Sequence, residues 1–318
     1  MKSNLLKSIS LLLSLSLGAC VFGTETFAGE YTLGYVSKNL NDDFMINLKE
    51  GAEEHARKLG ITLRYMTANN NADIEKQIQL ADDMITQGVD ALILVPMEPA
   101  SLIPTIIKAN EANIPVILVN DPVDDQSAKE QGALYATYVG TDNVMGGKVA
   151  AEFVKNHYPS GARVVLIGGV AGQLTSDQRL DGFKIGIMDS PQIQIIAEQP
   201  TDWSRDQGFS VMQNMLTANP DIDLVFGASD VMIMGAAEAI KQAEVQDSIK
   251  ALGFDGSAEA IEMVKSGDMI GTVAQYPKIM SAAAIDAAID VLNGKSVENP
   301  IYTKLEVLTK DNITDQRN

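Results

Sequence analysis

The chain alternates two kinds of apolar pattern. Leu33 to Ser37, Thr62 to Thr67, Ala91 to Val95 and Val116 to Val119 are short runs, long enough for buried strands and too short for helices. Between them lie stretches with helical spacing. Phe44, Ile46, Leu48 and Ala52 alternate with polar residues, and Ile74, Ile78, Ala81, Met84 and Ile85 share one side of Asp73 to Gln87. Ser101 to Ala112 continues the series. Gln126 to Gly132 is polar, and a strand is predicted over Leu134 to Val139, before a helix containing Gly146-Gly147. From Arg163 the alternation starts afresh. Strands are predicted at Val164 to Ile167, Ile193 to Ala197, Leu224 to Gly227, Lys250 to Gly253 and Ile270 to Ala274. Helices fill Thr175 to Met188, Ser204 to Thr217, Asp230 to Gln242 and Ser257 to Ser266. A long helix over Pro277 to Asn293 and a strand over Leu305 to Leu308 close the chain. Strands alternating with helices at this spacing form βαβ units with right-handed crossovers and a parallel sheet. The two rounds share this grammar with little identity, which predicts an α/β protein of two similar doubly wound domains.

In open sheets of this kind ligands bind beyond the carboxyl ends of the strands. Polar or aromatic residues recur at those places: Asp42 and Phe44, Asn120 and Asp121, Gln173 to Arg179, Trp203, Ser229 and Asp230, Asp255 and Gln275. The first loop has two readings. Asp42 and Asp43 can simply cap the following helix while Phe44 joins the core. Alternatively the carboxylates grip hydroxyls and the ring covers the C–H face of a sugar. Trp203 is the only tryptophan and sits in the polar segment Thr-Asp-Trp-Ser-Arg, outside any apolar stripe, which favours a ligand platform. Turn residues after strands are common individually. As a set, these describe a polar cleft with aromatic walls.

Reactive groups are scarce. The two histidines, His55 and His157, adjoin no candidate nucleophile, and no Cys/His cluster has zinc spacing. Gly168-Gly169-Val170-Ala171-Gly172 lacks both the Lys-Ser/Thr ending of a phosphate loop and the dinucleotide-binding glycine spacing. The expectation is a binder of a hydroxyl-rich small molecule, with no catalytic residue, cofactor or metal. Length and composition agree: 318 residues, 46% of them apolar, are enough for two domains with real cores. A net charge of −18 argues against nucleic acid as a partner. Lys2 and Lys7 before the apolar run Ile9 to Leu17 have the shape of a signal peptide. Cleavage after Thr26-Phe27-Ala28 would leave a soluble periplasmic chain, whereas Leu17-Gly18-Ala19-Cys20 resembles a lipobox that would anchor it through Cys20. With that single cysteine, the folded part holds together without a disulfide.

Several stretches together resemble the periplasmic monosaccharide-binding proteins of the ribose and galactose/glucose type, from about Tyr31 to Val307. They are Leu40-Asn41-Asp42-Asp43-Phe44, Ala112-Asn113-Ile114-Pro115-Val116-Ile117, Asp142-Asn143-Val144-Met145-Gly146-Gly147-Lys148, Arg179-Leu180-Asp181-Gly182-Phe183, Val211-Met212-Gln213-Asn214, Gly253-Phe254-Asp255-Gly256 and Ala274-Gln275-Tyr276-Pro277. The resemblance implies two lobes, 29–140 with 276–303 and 141–275 with 304–318, behind a signal peptide 1–28. Three crossovers would join them, near Gly140-Thr141, Gln275-Tyr276 and Thr303-Lys304. It implies that Phe44 and Trp203 sandwich a sugar ring and that Arg179 and Asp255 take hydroxyls, with Asn120, Ser229 and Gln275 assisting. Asp42, Met45 and Asp121 complete the expected site. The chain departs from the ribose-type pattern at Asp42, Met45, Val95 and Asn120-Asp121, where that pattern has asparagine, phenylalanine, asparagine and Asp-Arg. Losing the arginine points to a hexose or polyol ahead of ribose, and the acidic site also suits an amine-bearing sugar. No calcium loop is recognisable. The implied function is delivery of the sugar by a monomeric receptor to an ABC permease, with a chemoreceptor as a further partner. The alternative is a receptor for a sugar-like signal such as autoinducer-2. A LacI-type repressor core shares the fold but needs a DNA-binding segment where this chain has an export signal.

Overall fold

A computed structural model describes residues 31–313 except residue 71. The signal peptide, both processing sites and Cys20 lie outside the described residues.

The chain builds two six-stranded sheets with the same strand order. The first holds β1 (Thr32–Ser37), β2 (Thr62–Thr67), β3 (Ala91–Leu94), β4 (Val116–Val119), β5 (Thr137–Gly140) and β11 (Ile301–Tyr302), in the order β11-β5-β4-β3-β1-β2. The second holds β6 (Ala162–Gly168), β7 (Ile193–Pro200), β8 (Leu224–Gly227), β9 (Lys250–Asp255), β10 (Gly271–Ala274) and β12 (Glu306–Leu308), in the order β12-β10-β9-β8-β6-β7. Pairing is parallel throughout except between β10 and β12. Ten helices connect the described strands: α1 (Asp43–Leu59), α2 (Ile74–Thr86), α3 (Ile103–Glu111), α4 (Asp125–Gln131), α5 (Asn143–His157), α6 (Leu174–Gly186), α7 (Arg205–Ala218), α8 (Asp230–Gln242), α9 (Ala258–Ser266) and α10 (Pro277–Leu292). This is the expected fold class. In each sheet the strand order reverses about its first strand, β1 or β6, which opens a crevice at the carboxyl ends.

The core shows which elements belong together. Met280, Ala284, Ile285 and Ala288 of α10 pack with Leu33, Tyr35 and Leu48 of the first unit. Val273 joins the second unit's core, and Leu305 and Val307 pack against it. The chain therefore passes between units after β5, after β10 and between β11 and β12. Close approach of α5 and α6 needs two glycines. A Cβ on Gly147 would lie 2.1 Å from the Arg179 carbonyl oxygen, and one on Gly182 would lie 2.2 Å from that of Val144. The contact holds α6, and with it Arg179, against the helix that begins at the first crossover.

Three local readings change. The strand expected at Leu134 starts at Thr137, because Leu134 is 70% exposed and its backbone N–H and C=O are both taken by the Asn110 side chain instead of a neighbouring strand. The polar stretch before it forms α4, since Asp124 caps the Ser127 N–H and Gly132 ends the helix in the left-handed conformation. On α1 the buried face is Met45, Leu48, Ala52 and Ala56, and Ile46 points outward. The two-residue β11 has no apolar run to announce it: Ile301 is half-buried and Tyr302 exposed.

Candidate functional site

A cleft of about 660 Å³ lies between the two units at their strand carboxyl ends. Asp42, Phe44, Met45, Asn120, Asp121, Arg179, Trp203, Ser229, Asp255 and Gln275 all line it. The fold brings every expected site residue to one place, although they are spread over more than two hundred positions of the chain.

Both readings of the first loop describe part of it. Asp42 does cap α1, its Oδ1 accepting from the Met45 N–H at 2.9 Å, and it also faces the cleft. Burial raises its pKa above the usual carboxylate value, opposed by the Met45 N–H and by Lys38. Phe44 packs partly against the first unit's core and partly lines the cleft.

Arg179 is almost fully buried and is held from several directions. Its Nε donates to Asn143 Oδ1 at 2.9 Å, and Nη1 donates to the Ala228 carbonyl at 2.6 Å and to Asp255 Oδ1 at 3.2 Å. The guanidinium carbon stacks 4.0 Å from the centroid of Phe254. Nη2 donates to none of the described residues, and Arg179 lines the cleft. Burial lowers the Arg179 pKa while Asp255 and Asp121 oppose the shift; an arginine remains charged throughout.

Asp255 also accepts from Gln275 Nε2 at 2.7 Å and from the Asp230 N–H at 3.3 Å. Asp230 lies beneath it, fully buried, with Thr272 Oγ1 donating to Oδ1 at 2.7 Å and the Ser257 N–H to Oδ2 at 2.8 Å. Burial raises both carboxyl pKa values. Their mutual repulsion adds to this for Asp230, whereas Arg179 opposes it for Asp255.

Two of the expected residues are already satisfied. Asp121 takes Lys38 Nζ at 2.7 Å and Asn120 Nδ2 at 2.6 Å on Oδ2, and Thr175 Oγ1 at 2.6 Å on Oδ1. Gln275 donates to Asp255 and accepts from Thr141 Oγ1. Ser229 is the opposite case. It starts α8 without a side-chain capping bond, and its buried Oγ has no hydrogen-bond partner, an arrangement that normally costs about 1–3 kcal/mol.

Trp203 lies over Gly169, where a Cβ would come within 2.0 Å of the indole, so only a glycine lets the ring lie flat. Its Nε1 donates to Gln173 Oε1, fixing the ring's angle. Five described non-glycine residues have positive φ, and three of them, Asn120 (64°), Trp203 (67°) and Asp255 (132°), line the cleft. Strain of that kind, roughly 1–3 kcal/mol each, gathers where side chains are aimed at a ligand.

Sequence reasoning missed Lys38, Asn143 and Thr141. Lys38 directly follows β1, and a lysine there reads as solvated, yet it is only 7% exposed. Its position after a strand was the available signal; the buried Asp121 that accounts for it is visible only in the fold. The result is a cleft that gathers carboxylate, guanidinium, ammonium and hydroxyl groups with two aromatic rings, with no cysteine or histidine among the described lining residues.

The chain matches the periplasmic binding protein domain over residues 33–296. It belongs to that family. The binding protein is 35% identical to the ribose import binding protein of Bacillus subtilis, covering 96% of this chain and 99% of that one. It is 30% identical to the D-allose-binding periplasmic protein of Escherichia coli, covering 85% and 87%. Among solved structures, an ABC transporter periplasmic solute-binding protein from Actinobacillus succinogenes with bound D-allose superposes with a TM-score of 0.84 at 32% identity, covering 88% and 98%. A Caulobacter myo-inositol binding protein bound to myo-inositol gives 0.81 at 30%, covering 89% and 94%.

Proposed function

We propose that this chain is an exported receptor that captures one monosaccharide or polyol between its two units and delivers it to an ABC permease. The units are residues 29–140 with 276–303 and residues 141–275 with 304–318. The reading rests on one observation above all: Phe44, Trp203 and a set of polar side chains line one cleft, in which Ser229 Oγ and Arg179 Nη2 have no hydrogen-bond partner among the described residues. Hydroxyls satisfy such groups in both donor and acceptor roles, and ring faces take the apolar C–H surface of a pyranose. Relatives named for ribose and D-allose import, and a solved relative holding D-allose, support both the ligand class and transport over the signalling alternative. Hexoses and polyols are favoured over ribose because Asp121 stands where the ribose-type pattern has an arginine.

In this reading Arg179, Asp255, Asp42, Asn120 and Ser229 contact hydroxyls, and Phe44, Met45 and Trp203 form the walls. Asp121 and Gln275 are positioning residues, because their polar atoms are already engaged within the protein. The sugar touches both units only when they are closed, so its binding free energy shifts the population toward the closed form. Export leaves the receptor in the periplasm, free or tethered through Cys20.

Calorimetric titration with D-ribose, D-allose, D-glucose, D-galactose and myo-inositol tests the reading, with the emission of the single tryptophan as a second readout. The expected result is micromolar or tighter binding of at least one hexose or polyol, with an emission change. Heat without an emission change removes the Trp203 wall. No binding by any of the five overturns the proposal.

A further inference from the structure

Asp255 opens a loop whose backbone has to be held in place. Its φ of 132° is one that residues with side chains rarely adopt, and such a conformation persists only where the surroundings over-determine it. Asp255 Oδ1 is engaged by Arg179 and Gln275, at 3.2 and 2.7 Å. Among the described residues Oδ2 takes only the Asp230 N–H, at 3.3 Å. It therefore keeps acceptor capacity for a ligand hydroxyl.

The next two residues of the loop are tied to one buried side chain. The Ser257 N–H donates to Asp230 Oδ2 at 2.8 Å. The Gly256 N–H donates to Thr272 Oγ1 at 3.1 Å, and that hydroxyl donates in turn to Asp230 Oδ1 at 2.7 Å. Asp230 and Thr272 are both fully buried, and neither is among the described residues that line the cleft. The packing around them is close. Thr272 lies opposite Gly253 in the β9–β10 register, and a Cβ on Gly253 would come within 2.1 Å of Asp230 Oδ1.

The structure assigns Asp230 and Thr272 as positioning residues: through the N–H groups of Gly256 and Ser257 they set where Asp255 presents Oδ2, and so which ligand hydroxyl it reads. The inference deepens the monosaccharide reading and rests on it, adding two residues that govern affinity without touching the ligand.

Thr272→Val keeps the side chain's shape and removes the hydroxyl, whereas Thr272→Ser keeps the hydroxyl. Wild type and both variants are titrated calorimetrically at fixed pH with D-ribose, D-allose, D-glucose, D-galactose and myo-inositol. Each ligand that binds is followed by its monodeoxy analogues. Thr272→Val should bind about tenfold more weakly, and Thr272→Ser should recover affinity to within about threefold of wild type. One monodeoxy analogue, lacking the hydroxyl that Asp255 takes, should lose less relative to its parent in Thr272→Val than in wild type, because that contact is already damaged. A threonine with a merely structural role would lower the melting temperature and leave affinities and deoxy penalties as they were, which overturns the inference. So does a loss that Thr272→Ser fails to restore, or deoxy penalties that are all the same in variant and wild type. In each of those cases the monosaccharide reading stands. Should Thr272→Val not fold, Thr272→Ala is read by the same outcomes. If wild type binds none of the five ligands, both fall.

Discussion

Asp230 and Asp255 give the site a pH dependence with a definite sign. Both pKa values are raised above the ordinary carboxylate value by burial, so the folded pair holds protons that the unfolded chain has released above about pH 4. Stability contributed by the pair is therefore greatest below pH 4 and is lost as pH rises through the raised values. Asp230→Asn removes the more deeply buried carboxylate while keeping polar atoms opposite Thr272 and Ser257. Thermal melts of both proteins between pH 5 and 8 should show the variant gaining stability relative to the wild type as pH rises. A constant difference across that range would show that the pair does not titrate there. Ser229 carries a complementary lesson: a buried hydroxyl without a partner is a defect in a free-standing fold and an asset in a binding site.

At the scale of the element, α1 shows how one residue serves helix and cleft together. Asp42 starts the helix by accepting from Met45, and Gly60 ends it in the left-handed conformation. The two roles separate by substitution. Asp42→Asn keeps an N-cap acceptor and discards the charge, so stability should change by no more than a few tenths of a kcal/mol while ligand affinity drops about tenfold or more. Asp42→Ala should lose the affinity and in addition about 1 kcal/mol of stability. Denaturant titration and calorimetry on both variants check this. Equal affinity for Asp42→Asn and the wild type would leave Asp42 as a cap alone. Arg179 depends on elements in the same way, since its place follows from the glycine-mediated contact of α5 with α6 and from Asn143 at the start of α5.

For the whole molecule, the interface between units is held on one side by side chains that need no ligand. Asp121 collects Lys38 and Asn120 from its own unit and Thr175 from the other. A buried carboxylate with three donors is well compensated, and removing one donor shifts the balance between open and closed forms by about 1 kcal/mol. Thr175→Val should therefore increase the ligand-free radius of gyration in small-angle scattering, while saturating sugar returns it to the wild-type bound value. An unchanged ligand-free radius would mean that the bridge does not govern opening.

Much of the architecture was legible from the chain alone, because strand and helix periods are local properties. Leu33 to Ser37 or Leu224 to Gly227 can hardly be anything but buried strands, and the positions just past them mark a ligand site by the geometry of open sheets. Aromatic and acidic residues at those positions named the cleft lining from Asp42 to Gln275. Where local signals are weak the pattern misled: Leu134 is apolar yet exposed, and β11 is too short to announce itself. The rest required contacts between residues distant in sequence. Lys38 is buried only because Asp121 lies beside it, Trp203 lies flat only because Gly169 has no side chain, and Asp255 keeps a raised pKa because the assembled fold buries it, against the opposing charge of Arg179. The sequence by itself determined which residues stand at strand ends, through periodicity and turn chemistry. Only the tertiary structure decided which of their polar atoms are already engaged and which remain for a ligand, because hydrogen-bond satisfaction is a property of the assembled cleft.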